Sequence, residues 1–381
     1  MKKPRLMTPG PSPVPEEVLL ELARPVYHHR TPRFRAVLER VQQGLQWLLC
    51  TRSVPLVLTC SGTGAMEAVV SNLVGTEDEV LVLAAGRFGR RWAEIAARYG
   101  ARVTTVEVPP GESVEPDQLR DALAKKRFVA VFATHCETST GAAHDIERFA
   151  AIVREFDTLL AVDSVSAAGG MELRVDDWGI DALVAGSQKA FMMPPGLAFV
   201  VLSERAWERV ERRATRPVFY FDLLKMRQKA EQQDTPFTPA HTLISAMVPA
   251  LERMQQEGLP AIWERHRRMA AACRAAVQAL GLPLFAQHPA DVVTAVRGDG
   301  TFEIPALLGW LESTYGLKFA GGQDDLKGKI FRIAHMGYID ELDVLAAVGA
   351  LEQGLKWCGR PVTPGQGLAA AQEVLIRELG R

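Results

Sequence analysis

From Val54 onward the chain alternates short apolar runs with longer amphipathic stretches, and this alternation limits what it can fold into more than any single residue does. The pairs run Val54 to Thr59 then Ala65 to Leu73, Val80 to Ala84 then Arg87 to Tyr99, and Val103 to Val108 then Pro116 to Lys125. Val129 to Thr134 then Ile146 to Phe156 come next, and Leu159 to Val162, Ala182 to Ala185 and Leu197 to Leu202 complete the series. Short, continuous apolar runs suit strands covered on both faces, and amphipathic crossovers between them make such strands parallel. The spacing therefore predicts an α/β domain with a mostly parallel sheet.

One core rarely grows beyond ~250 to 300 residues, so a chain of 381 calls for a second, smaller unit. Pro239 to Gln256 reads as a helix and Ala261 to Leu280 as a longer one that hinges into that unit. Beyond them come a strand Val292 to Val296, a helix Ile304 to Tyr315, a strand Ile330 to Ala334 and a helix Glu341 to Trp357, a small α+β composition. Gly365 to Arg381 reads as an added amphipathic helix. Five prolines from Pro4 to Pro15 preclude helix there and predict an extended arm over a larger body. The division is thus an arm over residues 1–20, a large domain over 21–258 and a small C-terminal domain over 259–381.

Lys+Arg 44 against Asp+Glu 45 leaves no global field for nucleic acid or an anionic membrane surface. Five scattered cysteines without CxxC spacing argue against a disulfide framework and a zinc site, and suit a reducing cytoplasm. The basic N-terminus lacks an apolar segment behind it, and no stretch elsewhere is long and apolar enough to span a bilayer. A cytoplasmic protein is expected.

Three short motifs carry chemistry. Cys60-Ser61-Gly62-Thr63-Gly64-Ala65 follows a predicted strand and opens a predicted helix, where backbone N–H groups and hydroxyls converge on an anion. It is neither a Walker loop nor a dinucleotide fingerprint, and alone it reads equally as a tight turn without ligand. Asp163 ends a buried strand, where open α/β sheets bind ligands; it can hold a protonated ring nitrogen, hold a metal or cap the next loop. Lys189, in Gly186-Ser187-Gln188-Lys189-Ala190 beside Pro194-Pro195-Gly196, sits among small residues, where burial makes an amine nucleophilic; the alternative is a surface lysine. Together they supply what pyridoxal 5'-phosphate needs: a phosphate anchor, a pyridinium partner and an imine-forming amine.

From Thr8-Pro9-Gly10-Pro11 to about Gly349, this run of motifs resembles the class V aminotransferases of fold type I, in the serine/alanine:glyoxylate aminotransferase branch. The resemblance implies a large domain with a mainly parallel seven-stranded sheet, a small α+β domain, and a homodimer whose active sites lie between domains and subunits. It also implies residue roles. Ser61, Gly62 and Thr63 take the phosphate with help from Gln188, Phe88 stacks on the ring, Val165 packs on its other face, and Thr138 reaches the ring hydroxyl. Lys189 forms the Schiff base, Arg332 clamps the substrate carboxylate, and Thr238 reaches the neighbouring subunit's phosphate. Relatives often carry a tyrosine shortly before that threonine, where this chain has Thr235 and Phe237.

Several assignments also follow from chemistry. Arg332 is the only arginine on its predicted strand, and a guanidinium is the usual answer to a carboxylate. Cys136 reads as an inert buried thiol, and His28, His29 and Arg30 as a patch at the mouth of the site or an exposed loop. The expected reaction is transamination between a small amino acid, alanine or serine, and a 2-oxo acid, glyoxylate or pyruvate. Lys189 acts as nucleophile and then as general base, and Asp163 keeps the ring nitrogen protonated. An aspartate-specific enzyme would need a second cation, from Arg30 or Arg87. A cysteine desulfurase would need a stacking histidine where Phe88 stands and a mobile-loop cysteine, yet none lies between Cys273 and Cys358. A silent accessory subunit, as in relatives labelled as hydrogenase partners, would need none of the constellation.

Overall fold

The computed structural model describes residues 2–213 and 215–379. Its centre is a seven-stranded sheet: β1 (Leu56–Leu58), β2 (Glu79–Ala84), β3 (Arg102–Glu107), β4 (Ala130–Thr134), β5 (Leu159–Asp163), β6 (Ala182–Gly186) and β7 (Ala198–Leu202). Their order across the sheet is β1, β7, β6, β5, β4, β2, β3, and the pairs from β6 to β3 are parallel. Strand β7 runs antiparallel to both β6 and β1. The reason lies in the connection: residues 187–197 join β6 to β7 without a helix, and a parallel return needs a helical crossover. That short loop carries Lys189.

Successive residues of the central strands enter opposite cores, as pleating requires. Leu81, Leu83, Val131, Leu160, Val162, Leu183 and Phe199 face one cluster, while Val80, Val82, Phe132, Ala161, Val184 and Val200 face the other. Helices α1 (Gly62–Leu73) and α2 (Arg87–Arg98) follow β1 and β2, starting where the amphipathic patterns predict within a few residues.

Helix α3 (His241–Glu257) gives way to α4 (Leu259–Ala279) at Gly258, whose φ of +84° lets the chain turn sharply between them. Strands Val293–Arg297, Ile330–Ala334 and Ala320–Gly321 then form a small antiparallel sheet. It packs with α4 and with helices Ile304–Tyr315, Glu341–Trp357 and Gln366–Leu379 around a separate core that includes Leu307, Phe331 and Leu351. We propose domain boundaries at residues 20 and 258.

The N-terminal segment does more than lie over the large body. Arg5–Leu6 pairs in parallel with Leu317–Lys318, Met7 enters the small core, and the Ala334 N–H donates to the Met7 carbonyl at 2.9 Å. The extended stretch ends at Pro15, after which Glu16–Leu22, freed of proline, is helical, so the boundary at residue 20 falls inside a helix. The short helices Glu204–Arg212 and Leu223–Ala230 were outside the sequence reading, and the long helix Pro32–Leu49 was given no bounds there.

Candidate active site

Strands β2, β4, β5 and β6 are parallel, and β1, twice antiparallel through β7, points the same way. Five carboxyl ends therefore share one edge, where the loops of an open α/β sheet form a crevice. Ser61-Gly62-Thr63 follows β1, Phe88 follows β2, Thr138 follows β4, Asp163 ends β5, and Gln188-Lys189 follow β6. With Val165 they line one inner cavity.

The Lys189 amine is buried there, and desolvation pulls its pKa down to about 8; nearby Cys136 and Asp163 oppose that pull, and Arg332 adds to it. About one in ten such amines is uncharged at pH 7, far more than for an ordinary lysine. The N-terminal arm crosses directly over it. Lys189 Nζ donates to the Pro9 carbonyl, Ser12 Oγ donates to the Lys189 carbonyl at 2.6 Å, and the Ser12 N–H donates to the Gln188 carbonyl at 3.1 Å. Gly10 has a φ of +123°, and a Cβ there would overlap the lysine side chain. The arm's path thus needs glycine for both conformation and space.

Asp163 is 5% exposed, and burial raises its pKa to about 6; the Val165 N–H, donating to Oδ1 at 2.8 Å, pulls the other way. No ion pair within 4 Å compensates this carboxylate among the described residues, so a protonated ring nitrogen would supply a missing partner. Gln188 Oε1 is buried without a partner. Ser61 precedes α1 without capping it through its side chain, so its hydroxyl and the first N–H groups of the helix remain available to an anion. A Cβ on Gly62 would stand 2.6 Å from Val165 Cγ2, so only glycine lets the cradle close on Val165. These features fit pyridoxal phosphate, with Ser61, Gly62, Thr63 and Gln188 at the phosphate and Asp163 at the ring nitrogen.

Lys189, Phe88 and Thr138 also border an outer cleft of about 730 Å³ that contains Arg332. Arg332 projects from the strand Ile330–Ala334 and is 5% exposed. Its Nη1 donates to the Thr138 carbonyl at 2.7 Å, and Nη2 and Nε donate to the Gly321 carbonyl at 2.7 and 3.1 Å. Burial lowers its pKa to about 10, so it stays charged at neutral pH. Three of five guanidinium N–H groups are used; two remain for a carboxylate.

The sequence reading missed several parts of this site. Glu137 is fully buried; its carboxylate accepts from the N–H groups of Phe88 at 2.9 Å, Gly89 at 3.0 Å and Ser139 at 3.2 Å, and from the Ser139 hydroxyl. It thereby seats the first turn of α2 and the Phe88 ring. Its signal was an acid in a loop of small residues. Arg91, one turn after Phe88 and bonded to Thr63, gave no separate signal within an arginine-rich helix. The arm residues Pro9 and Ser12 gave none either, because their contacts bridge about 180 positions.

Other expected residues lie elsewhere. Thr238 is exposed and does not border the cleft of its own chain. Arg30 pairs with Asp234, and Arg87 pairs with Asp324 at 3.2 Å; neither lines the cleft. His28 and His29 stack on each other outside it. Cys136 is buried in the inner cavity, and desolvation raises its thiol pKa well above the usual range, which makes it inert as a thiolate.

Comparison with known proteins gives a consistent result. A family model described as aminotransferase class-V matches residues 7–297. The chain is 43% identical to a protein of Synechococcus sp. (strain PCC 6716) named soluble hydrogenase, small subunit, over 98% of each chain. It is 37% identical to the L-aspartate–glyoxylate aminotransferase of Paracoccus denitrificans, over 97% of this chain and 95% of that one. Among solved structures, the pyridoxamine-pyruvate aminotransferase of Mesorhizobium loti superposes with a TM-score of 0.94 at 30% identity, covering 99% of this chain and 100% of that one.

Proposed function

The chain belongs to the class V aminotransferases, and from that premise we propose that it moves the amino group of alanine or serine onto glyoxylate or pyruvate in the cleft around Lys189. The family makes it a pyridoxal-phosphate-dependent transaminase of fold type I, acting between an amino acid and a 2-oxo acid. The observation that carries the finer reading is the shared cleft of Lys189 and Arg332, a buried amine beside a buried guanidinium with two N–H groups to spare.

When bound, pyridoxal phosphate supplies an aldehyde that condenses with amines and a protonated ring that withdraws electrons. In our reading Lys189 carries it covalently, and the burial that lowers the amine's pKa to about 8 keeps part of it unprotonated for that bond. With the cofactor bound, the same amine, once released, would serve as the general base that takes the proton from the donor's Cα. Asp163 would hold the proton on the ring nitrogen, which the buried carboxylate favours because among the described residues no ion pair within 4 Å compensates it. Ser61, Gly62, Thr63 and Gln188 would bind the phosphate, Phe88 and Val165 would pack against the ring, and Thr138 would reach its hydroxyl. Arg332 orients the donor through its carboxylate, so that the Cα–H faces Lys189.

A monocarboxylate donor is favoured because Arg30 and Arg87 are engaged with Asp234 and Asp324 and neither lines the cleft. The relative that acts on aspartate makes that donor the competing outcome. We further propose a homodimer in the cytoplasm, with exposed Thr238 serving the partner subunit's phosphate. No helix among the described residues is long and apolar enough to cross a membrane.

The test is twofold. Borohydride reduction followed by peptide mapping should place the cofactor on Lys189, and Lys189→Ala should abolish the reducible linkage; label on another lysine refutes the central assignment. Donors are then ranked by kcat/KM with glyoxylate and pyruvate as acceptors. Preference for aspartate over alanine and serine refutes the monocarboxylate reading, and a protein that transaminates none of them favours an accessory role.

A further inference from the structure

Arg91 is one α-helical turn beyond Phe88, and three observations converge on it. Its Nη1 donates to Thr63 Oγ1 at 2.9 Å, across from the start of α1. Its guanidinium carbon lies 4.8 Å from the centroid of the Phe88 ring. It lines the inner cavity with Ser61, Gly62, Asp163 and Gln188, and among the described residues no carboxylate pairs with it within 4 Å, although Arg87 and Arg90 of the same helix do pair. An unpaired, half-buried guanidinium is costly unless its charge has a use nearby.

The Thr63 bond has a directional consequence. A hydroxyl has one proton to give, and a phosphate offers acceptors. Because Arg91 can only donate, it occupies a lone pair of Thr63 and leaves the hydroxyl proton free to point into the cradle. The stacking contact also backs the Phe88 ring from the side of the same guanidinium, a cation–π arrangement within the usual range. We propose that Arg91 is a positioning residue for the phosphate subsite: it sets Thr63 as a donor toward the cofactor's phosphate and ties the cradle to the stacking aromatic. This rests on the reading of Ser61-Gly62-Thr63 as the phosphate cradle.

The test uses the full-length protein stripped of cofactor and titrated with pyridoxal phosphate and with pyridoxal, which lacks the phosphate. The wild-type protein should bind the phosphorylated form far more tightly; equal binding would overturn the cradle reading itself. Arg91→Met should reduce that preference at least about tenfold, the usual effect of losing a hydrogen bond to a charged group, while pyridoxal binding changes little. Arg91→Lys should recover part of the preference. In a Thr63→Val background, Arg91→Met should add less than about twofold, because the two residues act as one unit. If Arg91→Met weakens both ligands by the same factor, or keeps its full effect without the Thr63 hydroxyl, Arg91 does not act through Thr63 on the phosphate and the proposal is wrong.

Discussion

Replacing Asp163 by asparagine should stabilise the cofactor-free protein and cripple the enzyme, and both effects come from the same burial. The carboxyl's pKa rises from the usual 3.8 to about 6 because it is desolvated and faces the Glu137 charge, which the Val165 N–H and the more distant Lys189 and Arg91 only partly offset. Each tenfold change in proton affinity is worth about 1.4 kcal/mol, so holding the ionised form in the fold costs about 3 kcal/mol once it is fully charged. The sign follows from the raised value. The favourable state is the protonated one, fully present below 3.8, and stability is lost as pH rises through about 6. Asparagine carries no charge and keeps an oxygen to accept the Val165 N–H, now 2.8 Å from Oδ1. The variant's advantage over the wild type should therefore be largest at pH 8 and about 1.4 kcal/mol smaller at pH 5, whatever fixed offset the amide introduces. Urea denaturation of both proteins without cofactor, at the two pH values, measures it. With cofactor bound the order should reverse and most turnover should be lost, because the ring nitrogen no longer meets a carboxylate. An advantage that does not grow from pH 5 to pH 8 would refute the argument that burial is uncompensated in the free protein. Near-normal turnover would reduce Asp163 to a structural cap.

Arg332→Ala should raise the donor KM and lower kcat/KM at least tenfold, since losing one side of a buried, charge-assisted pair typically costs about 2 to 5 kcal/mol; steady-state kinetics with alanine and serine decides it. Arg332→Lys should not restore the rate, because an ammonium cannot span the Thr138 and Gly321 carbonyls and a carboxylate together. Glu137→Ala strands the N–H groups of Phe88, Gly89 and Ser139, so a loss of about 2 to 4 kcal/mol in denaturation is expected. An unchanged denaturation midpoint would show that water replaces the carboxylate without cost.

The candidate site was legible in proportion to how locally its residues are arranged. Ser61-Gly62-Thr63, Asp163 and Lys189 each sit at a strand end that the apolar runs mark, so their common edge follows once the strands are parallel. The helices Ile304–Tyr315 and Glu341–Trp357 and the strand Ile330–Ala334 begin and end where their patterns do. Glu137, next to Thr138, was not recognised, because its work is to accept N–H groups from a loop about 50 residues earlier. Arg91 was invisible among neighbouring arginines that look alike in sequence and differ only in whether a carboxylate lies within reach.

The sequence by itself determined the central strand set and the mostly parallel sheet, because periodicity and strand-end placement are local properties of the chain, and its motifs carried the resemblance to the family. Tertiary structure alone decided what environment those residues meet. It brought Pro9 and Gly10 onto Lys189, left Asp163 without a close ion pair among the described residues, turned Arg332 across two carbonyls toward Lys189, and drew Arg30 and Arg87 to Asp234 and Asp324. Desolvation and charge pairing depend on what packs within a few ångströms. Those neighbours come from anywhere in the chain, so the chemistry of a side chain emerges only when the fold closes around it.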